Sequence, residues 1–588
     1  MRNLLLAGCG ALAIAACSAE TGTKSSDADP AASLKSIADE YLEAVTKRDP
    51  FSVYFTLTDV MTPDHAAMPD ISPEARTSFA SQEDVLLAQL LKIDPAKLTS
   101  RADWVAYQSM KEAMEADVDL RQCHQDWWSV SHMIGWQNGF GDIASIQPVS
   151  TPEERAAALV RWGKLPAFIA QDRANLEKGL SEGYSAPKSV VARVVAQLDG
   201  LVAAPLDQNP FFDFAMRAEG EPEFQAETRT LFENEVMPAI AAYRDFLRDV
   251  YMPAAREELS ISVLPNGAAC YEAMLRGYHT AKIGAERTYE RGRDEVDANR
   301  AGAIARAEAL LGESDLDAIQ ERVKADPQNR FSSEQELIDY TRELVPLAKE
   351  KTAPFFKAMP TQDLVVEQYP EYLRGTGQPS SYEANADASK PATYNIDTDH
   401  WMTQTRGEAD IVAVHEGWPG HHMQIATALG IEGLHPITRV AVSIAYIEGW
   451  ARYAEGLAEE AGLYRNGYGE ISRRMWPARG MVVDPGIHVF GWTNEDAIEF
   501  LKESGRFDDE TARSALDRIA TIPGQLTAYD TGGLEIRELR REAEERLGDR
   551  FDIREFHQRV LENGAVPLGA LREHVEEWID EVEKDAAQ

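Results

Sequence analysis

The sequence is poor in the features that mark nucleic-acid binding, membrane spans and thiol chemistry. Its 588 residues hold 59 Lys and Arg against 98 Asp and Glu, a formal charge of −39. Phosphate backbones and anionic lipid surfaces both call for the opposite excess, which argues against nucleic-acid binding and against a polybasic membrane patch. Cysteine occurs four times and never in a Cys-x-x-Cys or Cys/His ligand spacing, so a thiol enzyme or a zinc ribbon has no support. No Gly-rich phosphate loop and no repeat of solenoid period is present. The apolar run at residues 4–16 is only thirteen residues long, too short for a permanent bilayer helix. Histidine is also scarce, at twelve, yet three of the twelve fall within residues 415–422.

The short apolar run follows Arg2, as in a signal peptide, and ends in Ile14-Ala15-Ala16-Cys17. That ending resembles the bacterial lipobox, which implies cleavage before Cys17, acylation of its thiol and attachment to the membrane through lipid alone. Ser18 follows, a residue that favours the outer membrane. Cys9 then leaves with the leader, and a disulfide between Cys123 and Cys270 is permitted in an oxidising compartment. Residues 17–33 are small and polar, a lipidated Cys and flexible tether. Leu34, Ile37, Ala38, Tyr41, Leu42 and Val45 recur at helical spacing, so order begins there. Capping signals at Ser72-Pro73, Thr151-Pro152-Glu153-Glu154 and Ser333 with Glu336 open further helices. Long periodic segments at residues 224–259, 268–312, 404–430, 435–463, 523–546 and 566–585 make the chain mainly α. Residues 364–369 and 392–397 are rich in β-branched and aromatic side chains and read as a small antiparallel β-sheet. The expected architecture is a large two-lobed helical body with a deep cleft, divided into a scaffold lobe (34–330) and a catalytic lobe (331–588).

The chemistry gathers in His415-Glu416-Gly417-Trp418-Pro419-Gly420-His421-His422. Imidazoles and a carboxylate in one short segment are what a zinc hydrolase uses: nitrogen ligands, and a base that takes a proton from water. The usual His-Glu-x-x-His spacing places both histidines on one helix face. Here six residues separate His415 from His421, about 120° out of phase, and seven separate it from His422, two turns away. Pro419 removes a backbone donor and Gly420 tolerates unusual angles, so a kink or bulge is expected to bring His421, or alternatively His422, into reach. Glu448, on the next helix, supplies a third ligand; it shares a polar face with Arg452 and Glu455 and is followed by Gly449 and Trp450.

The two motifs, His-Glu-x-x-Pro-Gly-His-His-Met-Gln and Tyr-x-Glu-Gly-Trp-Ala-x-Tyr-Ala-Glu, resemble the bacterial lipoprotein family known as domain of unknown function 885, over roughly residues 34–580. They are similar, more distantly, to glutamate-zincin metallopeptidases of the thimet oligopeptidase and carboxypeptidase Taq type. That resemblance implies zinc held by His415, His421 and Glu448, with Glu416 as general base. The two residues inserted after Glu416 leave His421 and His422 both open.

Among the remaining residues, His488 and Tyr529 are candidate donors to a developing oxyanion. Arg518 and Gln525 suit a substrate carboxylate or backbone. The strand at 392–397, with Tyr394, offers an edge for an extended peptide, and Asp410 is placed to hold a ligand histidine's second nitrogen. The leading expectation is a lipid-anchored zinc peptidase of short peptides, facing the periplasm. Its alternatives are hydrolysis of a non-peptide amide, an ester or a cell-wall fragment, and a non-catalytic binding lipoprotein.

Overall fold

The computed structural model describes residues 29–369, 374, 379–385 and 387–586. The leader, Cys17 and most of the expected tether lie outside the described residues. The first helix, Pro30–Arg48, starts just ahead of Leu34 because Asp29 accepts from the Ala31 N–H and Pro30 occupies the first turn. Its buried face is Leu34, Ile37, Ala38, Tyr41, Leu42 and Val45, the stripe that the periodicity predicts. The remaining capping signals open helices as expected: Ser72 before Pro73–Leu90, a capping box at Thr151 and Glu154, and Ser333 before Glu334–Thr352.

Several long periodic segments are cut into pieces. Residues 268–312 form Gly267–His279 and Ala285–Leu311, separated where Thr280 turns left-handed. The segment at 404–430 divides into Arg406–Glu416 and His421–Leu429. Among the described residues no helix is long and apolar enough to cross a membrane.

The sheet has three strands, β1 (Leu364–Gln368), β2 (Ser381–Glu383) and β3 (Ala392–Ile396), in the order β1-β3-β2. It is mixed rather than wholly antiparallel: β1 runs parallel to β3 and only β2 runs against it. The expected antiparallel pair failed because the connection from β1 passes through β2 before the chain returns to lie beside β1. β3 is therefore the central strand, and both its edges are taken by neighbours.

Apolar side chains gather into several cores. One, built on Trp162, Phe211, Phe214, Phe232 and Tyr251, belongs wholly to the first half of the chain. Another, built on Tyr394, Val414, Tyr446, Trp450 and Ile536, carries the sheet and the histidine segment. Others join residues on either side of position 330: Val190, Leu259 and Val296 pack with Met481, Val482 and Leu516, and Ile319 packs with Tyr468 and Ile471. Cys123 and Cys270, buried and 147 residues apart in sequence, are joined as a disulfide.

Candidate metal centre

The histidine segment is a break between two helices, not a bulge within one. The first histidine helix, Arg406–Glu416, is opened by a capping box at Thr405 and Glu408 and ends at Gly417. The Trp418–Pro419 peptide is cis, and the second histidine helix begins at His421. Gly420 lies so close to the end of the first helix that a Cβ there would sit 2.1 Å from the His415 carbonyl oxygen and 2.3 Å from that of Val414. Only glycine fits that approach. Trp450, fully buried, donates its indole N–H to the Pro419 carbonyl at 2.8 Å and fixes the break from behind.

This geometry turns His415 and His421 toward each other, with ring centroids 4.7 Å apart and planes nearly perpendicular. Glu448, on the glutamate helix Ile444–Glu460, completes the group. Its Oε2 lies 3.4 Å from His415 Nε2 and 3.6 Å from His421 Nε2, and all three donor atoms fall within 4.8 Å of one another. His422 is directed elsewhere: its Nε2 faces the Gln362 carbonyl at 3.0 Å and its Nδ1 the Tyr382 hydroxyl at 3.2 Å. Burial pushes His422 down to about 4.

Two imidazoles and one carboxylate suit zinc or a similar divalent ion. Glu448 Oε2 is buried without a hydrogen-bond donor at the point where the two imidazole nitrogens converge. Burial opposes its ionised form, but the two imidazoles outweigh burial and hold the carboxyl well below its ordinary range. The residues present therefore fit a cation at this point.

The surrounding polar groups orient the ligands. His415 Nδ1 lies 3.0 Å from Glu455 Oε1, two helical turns after Glu448 on the same helix, so the two carboxylates grip the ring at its two nitrogens. Burial depresses the His415 imidazole, but Glu448 and Glu455 more than reverse this and raise it well above its ordinary value. Glu455 is itself held by Arg452 at 2.8 and 2.9 Å, and Arg452 Nε lies 3.1 Å from Asp530. Arg452, Glu455 and Asp530 also line a cavity of about 290 Å³, together with Glu295, Arg306, Glu459 and Arg537. Asp410, expected to orient a ligand histidine, instead accepts from the Tyr340 hydroxyl at 2.6 Å. Glu455 takes that role, and the signal for it was its seven-residue spacing from Glu448.

Glu416 is the last residue of its helix, where burial raises its carboxyl and the His415 and His421 imidazoles act in the opposite direction. The backbone of Tyr382, in the outer strand β2, acts on this carboxylate to lower it, against burial. Tyr394, expected to meet substrate, is buried in the core at the centre of the sheet, so it supports the site from within. The edge expected on its strand does not exist, because β3 is paired on both sides.

His488, expected to stabilise an oxyanion, is a satisfied core histidine. It is fully buried, its Nδ1 accepts from the Ile261 N–H at 3.2 Å, and its Nε2 faces the Ile519 carbonyl at 3.3 Å. Tyr529, by contrast, stands 6.4 Å from the His415 ring, centroid to centroid, in a stacked orientation. It belongs to the helix Gln525–Leu547, which crosses the glutamate helix at a point no side chain would allow. A Cβ on Gly532 would lie 1.7 Å from the Ala445 carbonyl oxygen, and one on Gly449 would lie 2.4 Å from the Gly532 backbone. These paired glycines, unread in the sequence, bring Tyr529 to the site. Arg518 donates to Gln525 Oε1 at 2.6 Å and lies 3.5 Å from the Tyr529 hydroxyl, so all three expected residues share one wall.

Comparison with known proteins places this arrangement in context. No curated protein matches the sequence. A candidate lipoprotein from Colwellia psychrerythraea of known crystal structure is 23% identical, with a TM-score of 0.83 over 93% of this chain and 99% of its own. A candidate lipoprotein of unknown function from Shewanella oneidensis is 18% identical, with a TM-score of 0.76 over 92% of this chain and 99% of its own. At these identities the likeness is one of fold. Residues 56–575 match the family described as bacterial protein of unknown function, DUF885, and the chain therefore belongs to that family.

Proposed function

We propose that the chain is a zinc-dependent metallopeptidase of the bacterial envelope, anchored by lipid at Cys17, that hydrolyses short peptides. The observation that carries this reading is the convergence of His415, His421 and Glu448 donor atoms beside a half-buried carboxylate, Glu416. Two histidines and a glutamate leave a coordination position open, as catalytic zinc sites do. A purely structural site has no use for the adjoining acid. The lipobox-like Ile14-Ala15-Ala16-Cys17 supports the anchor, and the two structural relatives are described as candidate lipoproteins. The arrangement of ligand, base and third-helix glutamate also supports kinship of mechanism with the glutamate-zincin peptidases.

A divalent cation bound by these ligands supplies a Lewis acid for water and for the substrate carbonyl. Glu416 takes the proton from the attacking water and returns it to the leaving amine. Glu455 holds His415 in the tautomer that presents Nε2 to the ligand position. An extended substrate pairs with the outer edge of β2, the strand whose Tyr382 backbone acts on the Glu416 carboxyl. The Tyr529 phenol, beside His415, donates to the oxyanion that develops on the carbonyl.

The test is Glu416→Gln. The purified variant is expected to keep one equivalent of metal by elemental analysis while losing at least ~10³-fold in peptide cleavage. Full activity in that variant refutes the mechanism. Metal bound by the wild type with no peptide cleaved redirects the reading to a non-peptide amide, ester or cell-wall fragment.

A further inference from the structure

Arg518 differs from the other sequestered arginines of this chain. Arg452 faces Glu455 and Asp530, and Arg276 faces Glu112, Glu115 and Asp119. Arg161 and Arg256 lack carboxylates, but backbone carbonyls of Asp64, Ala67, Ser185 and Leu259 take their place. Arg518 has neither arrangement. A guanidinium carries five N–H donors. Among the described residues those of Arg518 find Gln525 Oε1 at 2.6 Å and the Tyr529 hydroxyl at the long distance of 3.5 Å. Its Nε is buried with no acceptor.

Asp484, the acid on which Arg518 acts electrostatically, forms no ion pair with it. Asp484 interacts with Arg518 only at a distance, since its Oδ1 accepts from the Tyr271 hydroxyl at 2.7 Å and both its oxygens accept from the Gly524 N–H at 3.0 Å. Burial also pushes the Asp484 carboxyl up to about 7, against its charged form. In a chain with 98 acidic residues, a half-buried arginine beside the candidate site with no carboxylate in contact among the described residues is an open receptor for one. Arginine accepts a carboxylate in two parallel hydrogen bonds, and desolvation makes that pairing stronger than at a free surface.

We propose that Arg518 binds the free C-terminal carboxylate of the substrate, so that the enzyme removes short fragments from C-terminal ends and does not cut within long chains. This rests on the peptidase reading above and adds direction to it. Tyr529 ties His415 to Arg518, its ring 6.4 Å from the imidazole and its hydroxyl 3.5 Å from the guanidinium, so that the two lie within a short span of each other. Extended chain advances ~3.5 Å per residue, which limits the fragment to about three residues. Gln525, fixed against the guanidinium, holds the fork in place and leaves its other donors to the carboxylate.

The experiment compares two short-peptide libraries of the same composition, one ending in free carboxylates and one in carboxamides, on the metal-loaded wild type and Arg518→Ala. The expected result is a carboxylate preference of about 100-fold or more in kcat/KM, seen largely in KM, that Arg518→Ala abolishes. Fragments are expected to be no longer than three residues. Equal cleavage of the two libraries by wild type overturns the proposal and leaves the peptidase reading standing, and this comparison needs no variant. Equal loss on both libraries in Arg518→Ala also overturns it. If the wild type cleaves neither library, the peptidase reading fails, and calorimetric binding of a dipeptide and its amide decides the anchor separately. Tighter binding of the carboxylate form, lost in Arg518→Ala, supports it, and equal or no binding refutes it.

Discussion

Glu455→Gln isolates the group that orients His415. Glu455 Oε1 meets His415 Nδ1 at 3.0 Å, and both its oxygens meet Arg452 at 2.8 and 2.9 Å, in a setting where Glu455 is 1% exposed. Glutamine keeps the shape and one acceptor oxygen but removes the charge. Partners of this kind behind a metal-bound histidine are worth 10–100-fold in metal affinity, or ~1.4–2.8 kcal/mol. The same change strips Arg452 of its main counter-charge. Breaking a buried pair costs ~3–5 kcal/mol, and the retained Asp530 contact at 3.1 Å keeps this case toward the lower end. Two assays separate these effects: competition with a fluorescent chelator for zinc affinity, and urea midpoints of the metal-free protein for stability. Asp530→Asn serves as the control, because Asp530 contacts Arg452 and not His415. It is expected to lower the urea midpoint while changing zinc affinity less than about threefold. Unchanged zinc affinity in Glu455→Gln refutes the claim that this carboxylate sets the ligand.

Three further outcomes follow from the geometry. His421→Ala is expected to abolish stoichiometric metal binding, whereas His422→Gln keeps it, since Gln362 and Tyr382 occupy both nitrogens of His422; elemental analysis of the two variants decides. Gly532→Ala is expected to lose about 3 kcal/mol in denaturant unfolding, because its Cβ would lie 1.7 Å from a carbonyl oxygen, and to weaken metal binding as the glutamate helix is pushed away. Burial, aided by Arg540, depresses buried His557 to about 3. The unfolded chain takes up that proton near pH 6.5 and the folded chain does not. The stability this histidine contributes is thus complete above pH 6.5 and declines toward pH 3, by up to ~1.4 kcal/mol per unit. The stability gap between wild type and His557→Gln should narrow across that window, and a constant gap contradicts the assignment.

Helical periodicity and capping chemistry were legible in the sequence, because both are local. Ser72, Thr151 and Ser333 act within four residues of where they stand, so their helices begin where the signals lie. The candidate ligands were legible for another reason: acids and histidines clustered at unusual density have few alternative explanations. Elements depending on long-range pairing were not readable. The parallel β1–β3 pairing, the burial of Tyr394 and the backbone partners of His488 are fixed by segments up to 227 residues away. The division of the helix at Gly417–Gly420 was half legible: Pro419 and Gly420 announced a disturbance, but the position of Trp450, which settles its form, comes from the next helix.

The break between the histidine helices makes the centre a sensor of assembly. His415, His421 and Glu448 stand on three separate helices. An unfolded or half-docked chain cannot offer them together, so a cation held by them would recognise only the joined helices. On the proposed zinc reading, uptake and folding would be linked: at a thousand times the dissociation constant, a bound ion would add ~4 kcal/mol to the native state. Chelation would loosen the three helices as a unit, and the zinc supply of the surrounding compartment would govern how long the protein survives as well as whether it turns over.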